Sequence, residues 1–307
     1  NLWADYVFLS AVTAGKGTAV YNVANPGDAS NRLILYQNRN ENAVGKKTIS
    51  DDFEYQLQMQ GGIVTFNGTL ASSFETGVKG FDLISSKIDN TAGTFNLNNS
   101  TITVDQTAGL YNSEKMTLNL SGSIVDGVKN TTTQAILNDG TLNLTNGSVV
   151  GGGTYGIHNQ NNGLVSVIGS TVYAKAEYGI YNTATAKSHT ESSGQVTDYS
   201  VTIGDGAKVG GLLGSILNQS ANTKVTGSAI LGFIYSGDGK NYSGHVHNTV
   251  ATGTTALGEF LFENGTLNSS RVGILNDAGS VRIKGGTING GTYGIQNKKG
   301  GLQTILT

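Results

Sequence analysis

Short runs of alternating apolar and polar residues, each broken by Gly, Asn or Ser, recur along most of this chain. The clearest run is Tyr155-Gly156-Ile157-His158-Asn159. It returns as Tyr178-Gly179-Ile180-Tyr181-Asn182 and as Tyr293-Gly294-Ile295-Gln296-Asn297. Aligning on the closing Asn gives anchors at Asn90, Asn112, Asn138, Asn159, Asn182, Asn218, Asn248, Asn276 and Asn297. Their spacings are 22, 26, 21, 23, 36, 30, 28 and 21 residues, a basic period of 21–23 with longer steps where residues are inserted. A fixed period of this size is the mark of a solenoid.

Two residues before the anchor stands Leu110, Ile136, Ile157, Ile180, Ile216, Ile274 or Ile295, while the residue between varies freely. Strand side chains alternate faces, so the aliphatic set points inward and the variable set outward. After the anchor a Gly-containing turn leads to a second alternating run: Phe95/Leu97, Leu142/Leu144, Val165/Val167 and Val281/Ile283. Five residues further comes a third inward position, at Ile102, Val149, Val172, Leu267 and Ile288. No 3.6-residue periodicity appears, which excludes a helical solenoid. Three short strands in each 21–23-residue coil predict an all-β, right-handed parallel β-helix. About a dozen rungs roughly 4.8 Å apart make a rod of roughly 60 Å. Stacking would bring the anchor amides, among them Asn112, Asn138, Asn159, Asn182, Asn276 and Asn297, into one hydrogen-bonded ladder.

Composition narrows the picture. The 307 residues include 45 Gly and a single Pro, and 13% are charged. That suits many tight turns and excludes collagen. A formal net charge of −2 without long runs of one sign gives no footprint for nucleic acid or an anionic membrane. No stretch is long and apolar enough for a transmembrane helix, so no membrane insertion is expected of this segment. With no cysteine, thiolate chemistry and disulfides are out. The start, Asn1-Leu2-Trp3-Ala4-Asp5, does not read as an intact signal peptide.

Residues 1–60 break the pattern with a charged stretch from Arg32 to Glu54 and clustered aromatics (Trp3, Tyr6, Phe8, Tyr21, Tyr36, Phe53, Tyr55). They are expected to cap the open rung and lead into the first coils, with coils over 61–307. The last anchor is followed by the start of another strand, so the C-terminal rung is expected to be uncapped. Two insertions, 183–199 and 235–257, are expected to project as loops, either as a recognition surface or as neutral drift. Candidate binding residues are Tyr235, Asp238, Lys240, Tyr242, His245 and His247 in the second, with His189 and Tyr199 in the first. His245 and His247 share a face if extended, but a metal needs a third ligand, so no metal or other cofactor is expected. Tyr155, Tyr178 and Tyr293 would either line a sugar-binding strip or pack turns.

Parallel β-helices include polysaccharide lyases and hydrolases. Arg282-Ile283-Lys284 matches the Arg-Ile-Lys triplet of polygalacturonases. Their Asn-Thr-Asp motif is absent, and the single Asp-Asp, Asp51-Asp52, lies in the cap, so no catalytic residue is assigned. The cysteine-free Gly/Asn/Thr coils with Gly-Ile-x-Asn phrases resemble the passenger domains of type V autotransporter adhesins and related bacterial surface proteins. The resemblance covers about residues 61–307 and includes no translocator barrel. It implies a secreted, cell-surface rod, anchored at the outer membrane if an autotransporter. Such a rod mediates adhesion to a host or bacterial cell-surface protein or glycan, or self-association. Two alternatives stand beside it: a filament subunit stacking head to tail through open rungs, and a pectin-active lyase or hydrolase.

Overall fold

The computed structural model describes residues 18–22, 55–59, 63–67, 81–85, 93–99, 101–104, 109–127, 134–185, 198–298 and 301–306. Among these, the strands form three parallel sheets of 11, 10 and 8 strands and one antiparallel pair. The chain visits the sheets in rotation. Gln134–Asn138 lies in the 10-stranded sheet, Thr141–Thr145 in the 11-stranded sheet and Val149–Gly152 in the 8-stranded sheet. The next coil repeats the order with Tyr155–Asn159, Leu164–Val167 and Thr171–Ala174. This is a parallel β-helix, whose longest sheet, at about 4.8 Å per step, spans about 48 Å.

The core is a set of aliphatic columns. Leu110, Ile136, Ile157, Ile180, Ile216, Val246 and Ile274 are fully buried in the 10-stranded sheet, and Ile295 packs against them half-buried. Leu118/Leu120, Leu142/Leu144, Val165/Val167 and Phe260/Phe262 do the same in the longest sheet. Burying one such side chain contributes about 1.5–3 kcal/mol, and each lies over its counterpart because the period is constant in space even where it is not in sequence.

Three details differ from the sequence reading. Val150, not Val149, is the inward residue: Val150 pairs with Val172 and is fully buried, whereas Val149 opposes Thr171 and is half-buried. The turn Thr145–Ser148, with Asn146 and Gly147 at φ 55° and 79°, is one residue longer than its neighbour and shifts the phase. The column before Asn112 also differs. Asn90 lies outside the described residues, and Leu83 stands opposite Asn112, with Leu57 opposite Leu83. The amide ladder therefore begins at Asn112. Finally, the insertion 235–257 is not one loop, because Val246–Thr249 within it is a rung strand pairing with both Gly214–Gln219 and Val272–Asn276. Of the expected cap, Thr18–Asn22 and Tyr55–Met59 are strands of two of the sheets, and the charged stretch 32–54 lies outside the described residues.

The three coils with the longest steps carry their extra residues without breaking a sheet. The first insertion lies between Tyr178–Asn182 and Val201–Ile203, and the last between Val246–Thr249 and Glu259–Phe262. In both cases the flanking strands belong to the 10- and 11-stranded sheets, so the two insertions share one corner of the rod. The middle insertion leaves at another corner, between Ile230–Leu231 and Val246–Thr249.

Candidate functional site

The inward amides form one continuous chain. Asn112 donates to Asn138 (2.7 Å), Asn138 to Asn159 (2.7 Å), Asn159 to Asn182 (3.1 Å) and Asn182 to Asn218 (3.3 Å). Asn218 then donates to Asn248 (2.7 Å), Asn248 to Asn276 (2.9 Å) and Asn276 to Asn297 (3.1 Å). The amide nitrogens also reach turn atoms, as Asn159 does at the Gly163 carbonyl (2.9 Å), so they close the bend after each strand. At the first insertion Ser200 and Thr223 hydroxyls supply additional acceptors for Asn182.

Where the outward residue one before the anchor is Tyr or His, it follows a rule that the sequence did not disclose. Its ring reaches diagonally to the residue one past the anchor on the next rung. The Tyr111 hydroxyl donates to Asp139 Oδ2 (2.8 Å), His158 Nε2 pairs with Thr183 Oγ1 (3.2 Å), and the Tyr181 hydroxyl donates to Gln219 Oε1. His247 Nε2 meets Asp277 Oδ2 at 2.8 Å, and Lys298 completes that carboxylate at 2.9 Å. Burial pushes the Asp277 carboxyl up, but the bonds from Lys298 and His247 outweigh it and hold it below the usual range. His247 is thus a rung residue with a partner, not a loop ligand.

The tyrosine strip does not form. His158 stacks on Tyr181 (4.5 Å between centroids, 19° between planes) along the rod axis, so these rings face each other and not solvent. Tyr155 packs against Tyr181 at 4.8 Å, Tyr178 is buried, and Tyr293 is exposed beside a different neighbour, Val272. Burial lowers the His158 pKa, with Asp139 opposing, and it raises that of Tyr155, assisted by Glu177.

The middle insertion folds back as a hairpin, Phe233–Ile234 against Asn241–Tyr242. Its rings dock on Tyr173 of the 8-stranded sheet: Tyr235 lies 4.6 Å and Tyr242 5.2 Å from the Tyr173 ring, and Phe233 lies 5.9 Å from Tyr242. Two glycines make the seat. A Cβ on Gly151 would lie 2.4 Å from the Tyr173 ring, and one on Gly210 would lie 2.7 Å from the Tyr242 Cβ. The signal was present in the sequence as Val150-Gly151-Gly152 and Val209-Gly210-Gly211 flanking Val172-Tyr173-Ala174. Tyr242 is fully buried and Tyr235 half-buried, so neither is free at a loop tip, whereas Asp238 and Lys240 are exposed there. Burial pushes the Asp238 carboxyl up, but the Tyr242 hydroxyl and the Lys240 amide, which both donate to it (2.7 and 3.0 Å), outweigh that and lower its pKa.

Tyr199 ends the first insertion, and Glu259 follows the last. The Tyr199 hydroxyl donates to Glu259 Oε1 at 2.6 Å, and burial together with that carboxylate raises the tyrosine pKa. Glu259 is 4% exposed, and Arg282 Nη1 stands 3.6 Å from its Oε1. On the same face Lys224 and Lys284 flank Glu263 (2.8 and 2.9 Å), which brings the Glu263 carboxyl down to about 2. Arg282 and Lys284, the residues of the Arg-Ile-Lys triplet, are therefore outward residues paired with glutamates. His189 lies outside the described residues. Among the described residues no three His, Asp or Glu side chains are grouped for one metal ion. Comparison with protein-family models, curated proteins and solved structures finds no match.

Proposed function

We propose that this chain is a surface-displayed β-helical rod of the adhesin-passenger kind, carrying its recognition surface on the corner between the 10- and 11-stranded sheets. The observation that carries the reading is the Tyr199–Glu259 bond. It ties Tyr199, at the end of the first insertion, to Glu259, just past the last, so residues 60 apart in sequence meet at one corner of the rod. The Ala251 amide adds a second fastening, to Ser220 Oγ at 2.9 Å on the turn between them. A rod needs neither insertion to close its coils, since the 21-residue step from Asn276 to Asn297 closes one without either. The exposed stretch 252–257 on this corner carries Thr252, Thr254 and Thr255, whose hydroxyls suit hydrogen bonds to polar protein or glycan surfaces. The partner class is a host or bacterial cell-surface protein or glycan, with weak single contacts multiplied by many displayed copies.

The test replaces residues 183–199 and 250–258 with the two-residue turn Asp139-Gly140 of a short coil. Binding to cells and to immobilised glycans is then measured beside circular dichroism. Lost binding with an unchanged β-sheet spectrum supports the reading, and retained binding removes the corner as the recognition surface. Sedimentation of both chains separates a second copy as partner from a foreign surface.

A further inference from the structure

We propose that the hairpin Phe233–Tyr242 is an acid-loosened strap, held closed through the neutral imidazole of His245 at the point where the chain re-enters the rod. The strap is fastened at both ends. On entry, the Gly232 amide donates to the Val209 carbonyl (2.9 Å). On exit, the Ser243 amide donates to the Gly211 carbonyl (2.7 Å) and the Gly244 amide to the Asn268 carbonyl (2.7 Å). His245 is the next residue. Its Nδ1 donates to the Val272 carbonyl on the following rung (2.7 Å), and its backbone carbonyl accepts from Ser215 (2.8 Å). The ring is half-buried, with Tyr178 at 6.3 Å on one side and His247 at 6.3 Å on its own strand.

With Nδ1–H committed to Val272, an added proton must go to Nε2, and the charge would sit in a setting poor in counter-charge. Burial disfavours a cation at His245 most; the backbone bonds to Val272 and Gly273 offset part of this, while His247 and Arg271, the latter in the turn leading to the next rung, add to it, and the balance lies against the cation. Asp277, which pairs with His247, is also held by Lys298. Glu177 faces Tyr178, and the Tyr155 hydroxyl donates to it. Tyr293, beside Val272, brings no charge. Protonation therefore favours any conformation that carries His245 into water, and the strap, which adjoins His245 through the exit bonds of Ser243 and Gly244, is the segment that moves with it. Release would uncover Tyr173 and the glycine seat at Gly151 and Gly210, so acidification exchanges a closed aromatic cluster for an open sheet face.

Amide hydrogen exchange at Ser243, Gly244 and Tyr235, corrected for intrinsic rates, reads strap opening at pH 7.5 and pH 5. In the full chain, protection at these amides should fall several-fold on acidification, with about tenfold for each unit separating the ring's proton affinity in the closed and open strap. His245→Asn keeps a donor at the Nδ1 position and cannot titrate, so its protection should be flat, while His247→Asn should still show the fall. An unchanged protection in the parent chain overturns the proposal. So does an equal fall in His245→Asn, or a fall abolished by His247→Asn. If His245→Asn does not fold, the ring is titrated by NMR in the parent chain: coincidence of its midpoint with that of strap opening supports the proposal, and separate midpoints overturn it.

Discussion

Replacing Asn159 with Leu separates a buried amide ladder from a surface one. Asn159 is fully buried, accepts from Asn138 Nδ2, and donates to Asn182 Oδ1 and the Gly163 carbonyl. Leu fills the space but makes none of these bonds. The Asn138 amide keeps the Gly140 carbonyl as an acceptor, and Asn182 Oδ1 keeps the Ser200 hydroxyl, so each loses one bond of several. Gly163, itself buried, loses its side-chain donor. One orphaned acceptor at about 1–3 kcal/mol, and two weakened groups at about 0.5–1.5 kcal/mol each, sum to about 2–6 kcal/mol. The control is Asn119, which donates to Asn96 (2.7 Å) and accepts from Asn143 (2.8 Å) on the outer face of the longest sheet. It makes the same two amide–amide bonds, but its partners are half-exposed and re-bond to water, so Asn119→Leu should cost less than about 1 kcal/mol. Urea unfolding followed by circular dichroism and by tyrosine fluorescence gives both values, two probes being needed because repeat arrays can lose cooperativity. Equal costs for the two variants would refute the claim that dry burial makes the inner ladder a stabilising element.

Three further outcomes follow from the same geometry. His158 has a lowered pKa when folded, so the unfolded chain binds more protons; its contribution is intact above the ordinary value of about 6.5 and is lost as pH falls below it. Thermal melts of His158→Phe should show a smaller acid-induced drop between pH 7.5 and 5 than the parent. Gly210→Val puts side-chain atoms where Tyr242 lies and should undock the hairpin, at about 1–3 kcal/mol, with limited proteolysis newly cutting within 233–242. Val150→Ala should cost about 1–3 kcal/mol and Val149→Ala less than about 1 kcal/mol; the reverse order in a urea midpoint comparison would restore the register read from the sequence.

The fold was legible because one phrase carries both of its constraints. In Gly156-Ile157-His158-Asn159 the Ile and Asn are fixed by the interior and the His is not, so periodicity exposes the inward columns directly. Where the reading slipped, an interchangeable residue caused it. Asn is abundant enough that an alignment near 22 residues finds Asn90, although the column there is occupied by Leu83. Two adjacent valines hid the longer turn before Val150. The side-chain partners were less legible, because they depend on which residues of different rungs become neighbours. Nothing local to His247 points to Asp277, nor anything local to Tyr199 to Glu259; both pairings are set by insertions of unequal length between them. The hairpin aromatics likewise read as loop-tip groups until the Gly151 and Gly210 seats are placed beneath them.

The central claim is that the rungs continue in register beneath all three insertions. Spin labels on outward positions of the longest sheet test it directly, since Asn119, Asn143, Ser166, Thr202, Lys224, Leu261 and Arg282 form one column. Double electron–electron resonance on chains labelled at 119 and 224, and at 119 and 282, should give separations of about 19 and 29 Å, four and six rung steps. The second pair spans every insertion. A 119–282 distance exceeding the 119–224 distance by about 10 Å is the predicted result, and a longer or broadly distributed one would mean that the insertions interrupt the helix.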